Sequence, residues 1–324
     1  MVCAGRLLVT LLLVSILGPA VSNADPGYLA LEKIADDLGL SYDWVEPDRS
    51  VRLSGSSIQL DFTTASRVSS LNGIKVYLGK PALSNSGKLY IASLDWKDSI
   101  QPILMPRVFP NPPGFQRVVI DAGHGGRDPG GQNLRLGIDE KDLALDVSRL
   151  VGKRLRAAGF DVAFTRTDDH FVELDERPLM ANRAGADIFL SIHFNAARES
   201  VRGVETFVYT LPGTPSSSRT TLKDVDRKTY PGNVNDPWNA LLGYYVQSEL
   251  VRATGLPDRG LKRARFAVLE TVRSPAALLE LGFITNQQTA LRLREAGYRE
   301  RLAESVARAV VRYRTTLMRL HQRD

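Results

Sequence analysis

Read by its hydrophobic and polar positions, the chain changes rhythm twice. Positions 7–17 (LLVTLLLVSIL) are almost continuously apolar, preceded by Arg6 and followed by Gly18-Pro19. Residues 28–38 (YLALEKIADDL) place Leu29, Ile34 and Leu38 broadly on one side, which predicts a helix. After Gly39 come short alternating runs: SYDWV, SVRLSG, SIQLDF, RVSSLNG, IKVYLG and LYIASL. A period of two predicts half-buried strands, and Asn72-Gly73 between two of them predicts a tight hairpin. Residues 27–104 therefore read as a small, hairpin-rich α+β unit.

The segment 104–116 (LMPRVFPNPPGFQ) carries four prolines and a glycine. Proline fixes φ and removes a backbone donor, so 105–116 is expected to be an extended linker and the main domain boundary. Beyond it the pattern becomes strand, helix, strand. Strands are expected at 118–121, 162–166, 187–193, 203–210, 266–269 and 277–282. Helices are expected at 140–158, 177–186, 237–254 and 298–320. Continuous apolar strands alternating with amphipathic helices predict a three-layer α/β/α domain over 117–320, built on a mostly parallel sheet. The stretch 212–236 is polar, lacks helical apolar spacing and is long for a loop in a compact domain, as functional or mobile loops are.

Composition adds three constraints. Arg6, the apolar run, the Gly18-Pro19 break and the small residues Ser22 and Ala24 form a secretory leader over 1–24, cleaved after Ala24. The expected destination is the periplasm or cell envelope, or beyond it, with no membrane span left in the mature chain. Cys3, the only cysteine, leaves with the leader, so a metal site must be built from His, Asp and Glu. The formal charge is +6, and +5 without Arg6, which suits an anionic wall or membrane partner. The positive residues are scattered without interleaved aromatics, which argues against nucleic acid.

The candidate chemistry starts at VVIDAGHGGRDPGG (118–131), where a β-branched strand runs into five glycines within nine residues. It is not a dinucleotide loop, because Asp128 stands where the third glycine of G-x-G-x-x-G belongs, and no Gly-Lys-Ser/Thr ends it. His124 in this loop and His193 at the end of DIFLSIH both lie at carboxyl ends of expected strands, where ligands gather in such sheets. Glu140 heads the helical stripe Leu143, Ala144, Val147 and Val151, so its carboxylate should face inward, a costly placement unless paired or bound to metal. Glu280 interrupts the apolar strand in PAALLELGF, where desolvation suits a general base. Each residue also has a plainer role: a structural histidine, a helix-terminal acid, a buried ion pair. Together, two His and one Glu with an open position form a catalytic zinc arrangement.

These motifs resemble the zinc-dependent N-acetylmuramoyl-L-alanine amidases of the type-3 catalytic class. The resemblance runs through IDAGHGGRDPG, GIDEKDLALDVSRLVGKRL, TRTDD, ERPLMANRAGADIFLSIHFNA, GVETFVYT, DRGLKRARFAVL and PAALLELGFITN, covering 117–319. It implies His124, Glu140 and His193 as ligands of one zinc ion and Glu280 as the catalytic glutamate. It also implies attack of zinc-bound water on the amide joining N-acetylmuramic acid to L-alanine of peptidoglycan. Some members carry a helical insertion over the zinc that an activator releases, so an activator protein is a candidate partner; the matching stretch here is 212–236. Arg127, Asp128, Asn195 and Glu205 are expected at the rim in supporting roles. Residues 28–104 resemble the small copper-amine-oxidase N-terminal-like module through YLALEKIADDLGLSYDW, SVRLSG and NGIKVYLG; the segment has no histidine for copper, and a wall-binding or positioning role is expected. The rival readings are a zinc carboxypeptidase, which needs an arginine for a terminal carboxylate, and a non-catalytic wall-binding protein.

Overall fold

Alternation of buried and exposed side chains builds the first part of the fold. The computed structural model describes residues 27–322; the leader expected over 1–24 lies outside the described residues. Tyr28–Ala30 (β1) leads directly into Leu31–Leu38 (α1). Helix was expected from residue 28, but the first three residues pair with a later strand, which satisfies their backbone groups in a ladder. Gly39 ends α1 with φ 63°, the left-handed conformation that closes a helix without a Cβ penalty. Ser41–Glu46 (β2), Ser50–Ser54 (β3), Gln59–Thr63 (β4), Val68–Leu71 (β5) and Ile74–Tyr77 (β6) follow as an antiparallel meander. In β3 and β4 every second residue (Val51, Leu53, Leu60, Phe62) is buried, and polar residues stand between them. Asn72 and Gly73 both take positive φ (48° and 80°), as a two-residue hairpin turn requires. Leu83–Asn85 (β7) and Lys88–Ala92 (β8) join β1 in a separate three-stranded sheet.

Ser93–Asp95 (α2) and Gln101–Leu104 (α3) flank a π-helical turn at Trp96–Ile100. The proline-rich stretch then makes a 3-10 turn at Pro106–Val108 and runs without regular structure to residue 116. Phe109 packs edge-on against Trp238, with centroids 6.3 Å apart, so the stretch is fastened to the following domain.

The second part contains Arg117–Ala122 (β9), the short hairpin Gln132–Asn133 (β10) with Ile138–Asp139 (β11), Glu140–Ala157 (α4), Asp161–Phe164 (β12) and Glu176–Arg183 (α5). Then come Ile188–Asn195 (β13), Val204–Tyr209 (β14), Asp236–Thr254 (α6), Asp258–Ala264 (β15), Ala267–Glu270 (α7), Ala276–Phe283 (β16), Gln287–Arg294 (α8) and Ala296–His321 (α9). Strands β12-β9-β13-β16 are mutually parallel, β14 lies antiparallel to β16, and β15 is parallel to β14. The expected mostly parallel α/β domain is present within a larger mixed sheet. One face packs on α4, α6 and α9 through residues such as Ile120, Leu190, Ile192 and Leu279. The alternate residues Val119, Phe189 and Leu278 pack with Ala181 of α5 and with Val268 and Leu269 of α7 on the other face.

Other expectations change as well. The strand expected at 266–269 is the short helix α7, and the strand of this region lies just upstream in β15. Its sequence, DRGLKRA, looks too charged for a buried strand, but its Lys and Arg side chains find partners inside the structure. Helix α8 was not anticipated. The sheet also crosses the expected boundary: β15 pairs with β6 at Leu261↔Val76, giving one eleven-stranded sheet. Residues 212–235 contain two 3-10 turns, Asp224–Arg227 and Pro231–Asn233, and no α-helix before α6 starts at Asp236. Buried Asp226 anchors this loop through Arg219 and Arg265, and Arg67 of the first part donates to its carbonyls at Pro215, Ser216 and Arg219.

Candidate metal centre

His124 leaves β9 in a conformation that side chains rarely adopt. Its φ of 60° lies in the left-handed region, disfavoured by roughly 1–2 kcal/mol for a residue with a Cβ. The surroundings fix it there. Buried Arg177 donates to the His124 carbonyl at 2.8 Å and to that of Ala122 at 2.8 Å, while Arg166 holds the carbonyls of Ala122 and Gly123. The Asp128 carboxylate meets His124 Nδ1 at 2.7 Å and accepts from Gly130 N at 3.0 Å. With Nδ1 occupied, Nε2 is aimed at Glu140 Oε1, 3.0 Å away.

The glycines serve close approach. A Cβ on Gly123 would stand 2.3 Å from the His193 ring, and one on Gly130 would meet both His124 and Glu140 within 2.7 Å. Neither position accepts a side chain without displacing a candidate ligand.

Glu140 opens α4 and is buried, as its place at the head of an apolar stripe suggests. Its Oε1 lies 2.9 Å from His193 Nδ1 and accepts from Phe194 N at 3.0 Å; Oε2 accepts from Gly131 N at 2.8 Å. Burial alone would push its carboxyl up, but the bonds to His124 and His193 outweigh this and hold it well below the usual carboxylate range. For His124, burial favours the neutral ring, while Glu140 and Asp128 overcome that and raise its pKa. The two imidazoles stand edge to face with centroids 4.9 Å apart. One ligand atom from each of His124, Glu140 and His193 lies within 4.8 Å of the others, the one such group among the described residues. Two nitrogens and a carboxylate oxygen at the mouth of a cleft suit a zinc ion with an open coordination position.

Glu280 lies on β16, opposite His193 on one neighbouring strand and Glu205 on the other. Burial, then Glu140 and Glu205, push its carboxyl well above the usual range, against the pull of Lys262. Its Oε2 is buried and meets no hydrogen-bond partner among the described residues. His124, Glu140, His193 and Glu280 line one cleft of about 280 Å³, whose apolar wall includes Leu174, Phe266, Val268 and Leu278. No residue of 212–236 lines it. His170 is exposed, bonded to Asp168, and stands outside this group.

Of the rim residues, Asp128 holds His124, Asn195 donates to Glu205 at 2.7 Å, and Arg127 stacks on Phe171 and pairs with Glu173. Sequence reasoning missed the layer beneath. Asp121, fully buried, accepts from Arg177 at 2.8 Å, Thr165 at 2.6 Å and Ser191 at 2.7 Å. The signal for it is an acid inside a buried strand, followed by the TRTDD and ERP segments, each of which carries one arginine, Arg166 and Arg177.

A family model described as N-acetylmuramoyl-L-alanine amidase matches residues 118–312. Among curated relatives, the uncharacterized protein YqiI of Bacillus subtilis is 34% identical over 196 residues, covering 60% of this chain and 84% of YqiI. The N-acetylmuramoyl-L-alanine amidase LytC of the same organism is 33% identical over 204 residues, covering 63% of this chain but only 36% of LytC. Among solved structures, the amidase AmiC2 of Nostoc punctiforme is 32% identical with a TM-score of 0.51, the match covering 63% of this chain and 99% of that one.

Proposed function

The chain belongs to the N-acetylmuramoyl-L-alanine amidase family, and from that premise we propose that it is a zinc-dependent peptidoglycan hydrolase. It cleaves the amide between the lactyl group of N-acetylmuramic acid and L-alanine of the stem peptide. The observation that carries this reading is the convergence of His124, Glu140 and His193 in one cleft with the unpartnered carboxylate of Glu280. The same reading places the protein outside the cytoplasm, where its substrate lies; among the described residues no helix is long and apolar enough to cross a membrane.

His124, Glu140 and His193 would hold the ion. When bound, zinc supplies Lewis acidity, polarising a carbonyl and lowering the pKa of a coordinated water. Asp128 keeps the His124 tautomer and ring direction fixed. Glu280 accepts a proton from the attacking water and passes it to the departing alanine nitrogen as the C–N bond breaks, leaving a lactyl carboxylate and a free amine. Leu174, Phe266, Val268 and Leu278 form an apolar wall that limits water around this transfer.

Digestion of purified sacculi with the full chain, with and without a chelator, tests the proposal. Mass analysis should find intact stem peptides with a free L-alanine amine, lost on chelation and restored by zinc. Removal of terminal residues alone would identify a carboxypeptidase, and binding without soluble product a non-catalytic wall protein.

A further inference from the structure

Strand β15 is the last strand that the second part contributes to the sheet, and β6 of the first part closes its open edge. The AmiC2 chain is almost exhausted by a match covering 63% of this chain, so it is about the size of the second part alone. The contact across this seam here is built. Asp258 accepts from Lys75 N at 2.7 Å, and the Lys262 ammonium lies between the rings of Tyr77 (5.4 Å) and Phe207 (5.6 Å). Only 14% of the Lys262 side chain is exposed.

Lys262 is the close partner of Glu205, whose side chain is 5% exposed. Arg259 Nε completes that pairing at 3.2 Å, and the other Glu205 oxygen accepts from Asn195 Nδ2. Asn195 lies two residues beyond His193, just past the irregularity where β13 shifts register against β16. Glu205 stands directly across from Glu280. A buried carboxylate at that point needs its cation, because an unpaired one is expensive and would disturb the strands that carry it.

We propose that Tyr77, Lys262 and Glu205 form a positioning relay, through which the N-terminal unit fixes the end of β13 and the strand facing Glu280. The ring of Tyr77 seats the ammonium, the ammonium holds Glu205, and Glu205 holds Asn195. The N-terminal unit is then a working part of the cleft. Its effect on turnover rests on the amidase reading; its effect on strand order does not.

The test uses full-length Lys262→Met, Lys262→Arg, Tyr77→Ser and Tyr77→Phe. In metal-free protein, amide exchange across 193–209 should rise at least about tenfold in Lys262→Met and Tyr77→Ser, with other strands unchanged. In zinc-loaded protein, kcat on a soluble muropeptide should fall at least about tenfold in both, with KM within about threefold and one zinc retained. Tyr77→Phe should match the wild type, and Lys262→Arg should recover part of the loss. Wild-type exchange in Lys262→Met overturns the relay. So does a kcat within about twofold of wild type, or a loss repaired by added zinc. If the wild type itself releases no stem peptide, the amidase reading falls and the exchange arm alone decides the relay.

Discussion

Arg177 and Asp121 form an ion pair 2.8 Å long, with side chains 2% and 0% exposed, directly beneath the loop that presents His124. The same guanidinium bonds the His124 carbonyl. Pairing with Arg177 and the hydroxyls of Thr165 and Ser191 outweigh burial and hold Asp121 below its ordinary pKa. Removing one partner strands a charge in the core. Arg177→Met should therefore lower unfolding stability by about 3–5 kcal/mol in a denaturant titration. Arg177→Lys keeps the charge but not the planar fork, so it should recover only part of this. Full stability in Arg177→Met would show that the pair does not support the loop.

Asp128 offers a cleaner probe of metal binding, because it touches His124 without being a candidate ligand. Its 2.7 Å bond to Nδ1 fixes which nitrogen faces Glu140. Asp128→Asn should weaken zinc affinity by about 10–100-fold, measured by competition with a chromogenic chelator. The fold should be intact, since Asp128 lies at the rim. Unchanged affinity would mean that His124 is oriented by its backbone alone.

Glu280→Gln separates proton transfer from metal retention. It preserves shape on β16 while removing the base. Zinc stoichiometry should stay at one per chain while kcat falls about 10²–10⁴-fold. Wild-type turnover in this variant would end the assignment of Glu280 as general base.

The sequence was most informative where one residue contradicted its surroundings. Glu140 at the head of an apolar stripe and Glu280 inside an apolar strand both advertised a polar site, and both line the cleft. Asn72-Gly73 announced its turn because few residue pairs tolerate two successive positive φ values. Strand β15 was illegible for the opposite reason. Its charges look like surface until Glu205, Tyr77 and the Tyr209 carbonyl are brought around them by distant segments. The joining of β6 to β15 was equally hidden, because a proline-rich boundary describes the local chain and not which strands later meet. Arg166 and Arg177 were missed because guanidinium groups that bind backbone carbonyls leave no periodic trace.

Asp236 gives a prediction about pH that is independent of the metal site. It begins α6, is 6% exposed, and lies 3.9 Å from Arg263, with one carboxylate oxygen lacking a hydrogen-bond partner. Burial pushes its pKa from 3.8 up to about 7, with Arg263 only partly offsetting it. Between these values the unfolded chain has released the proton and the folded chain still holds it. The folded state therefore binds more protons, and stability falls as pH rises through this window, by at most about 1.4 kcal/mol per pH unit. Below the window Asp236 is neutral in both states, and above it charged in both, so its contribution is flat on either side. Asp236→Asn removes the titration while keeping an acceptor for Asn233. Denaturant titrations of both proteins should diverge progressively from pH 4.5 to 7, the variant becoming the more stable, and run parallel from pH 7.5 to 9. Parallel curves across the whole range would show that Asp236 is already ionised in the folded protein at pH 4.5, held there by Arg263.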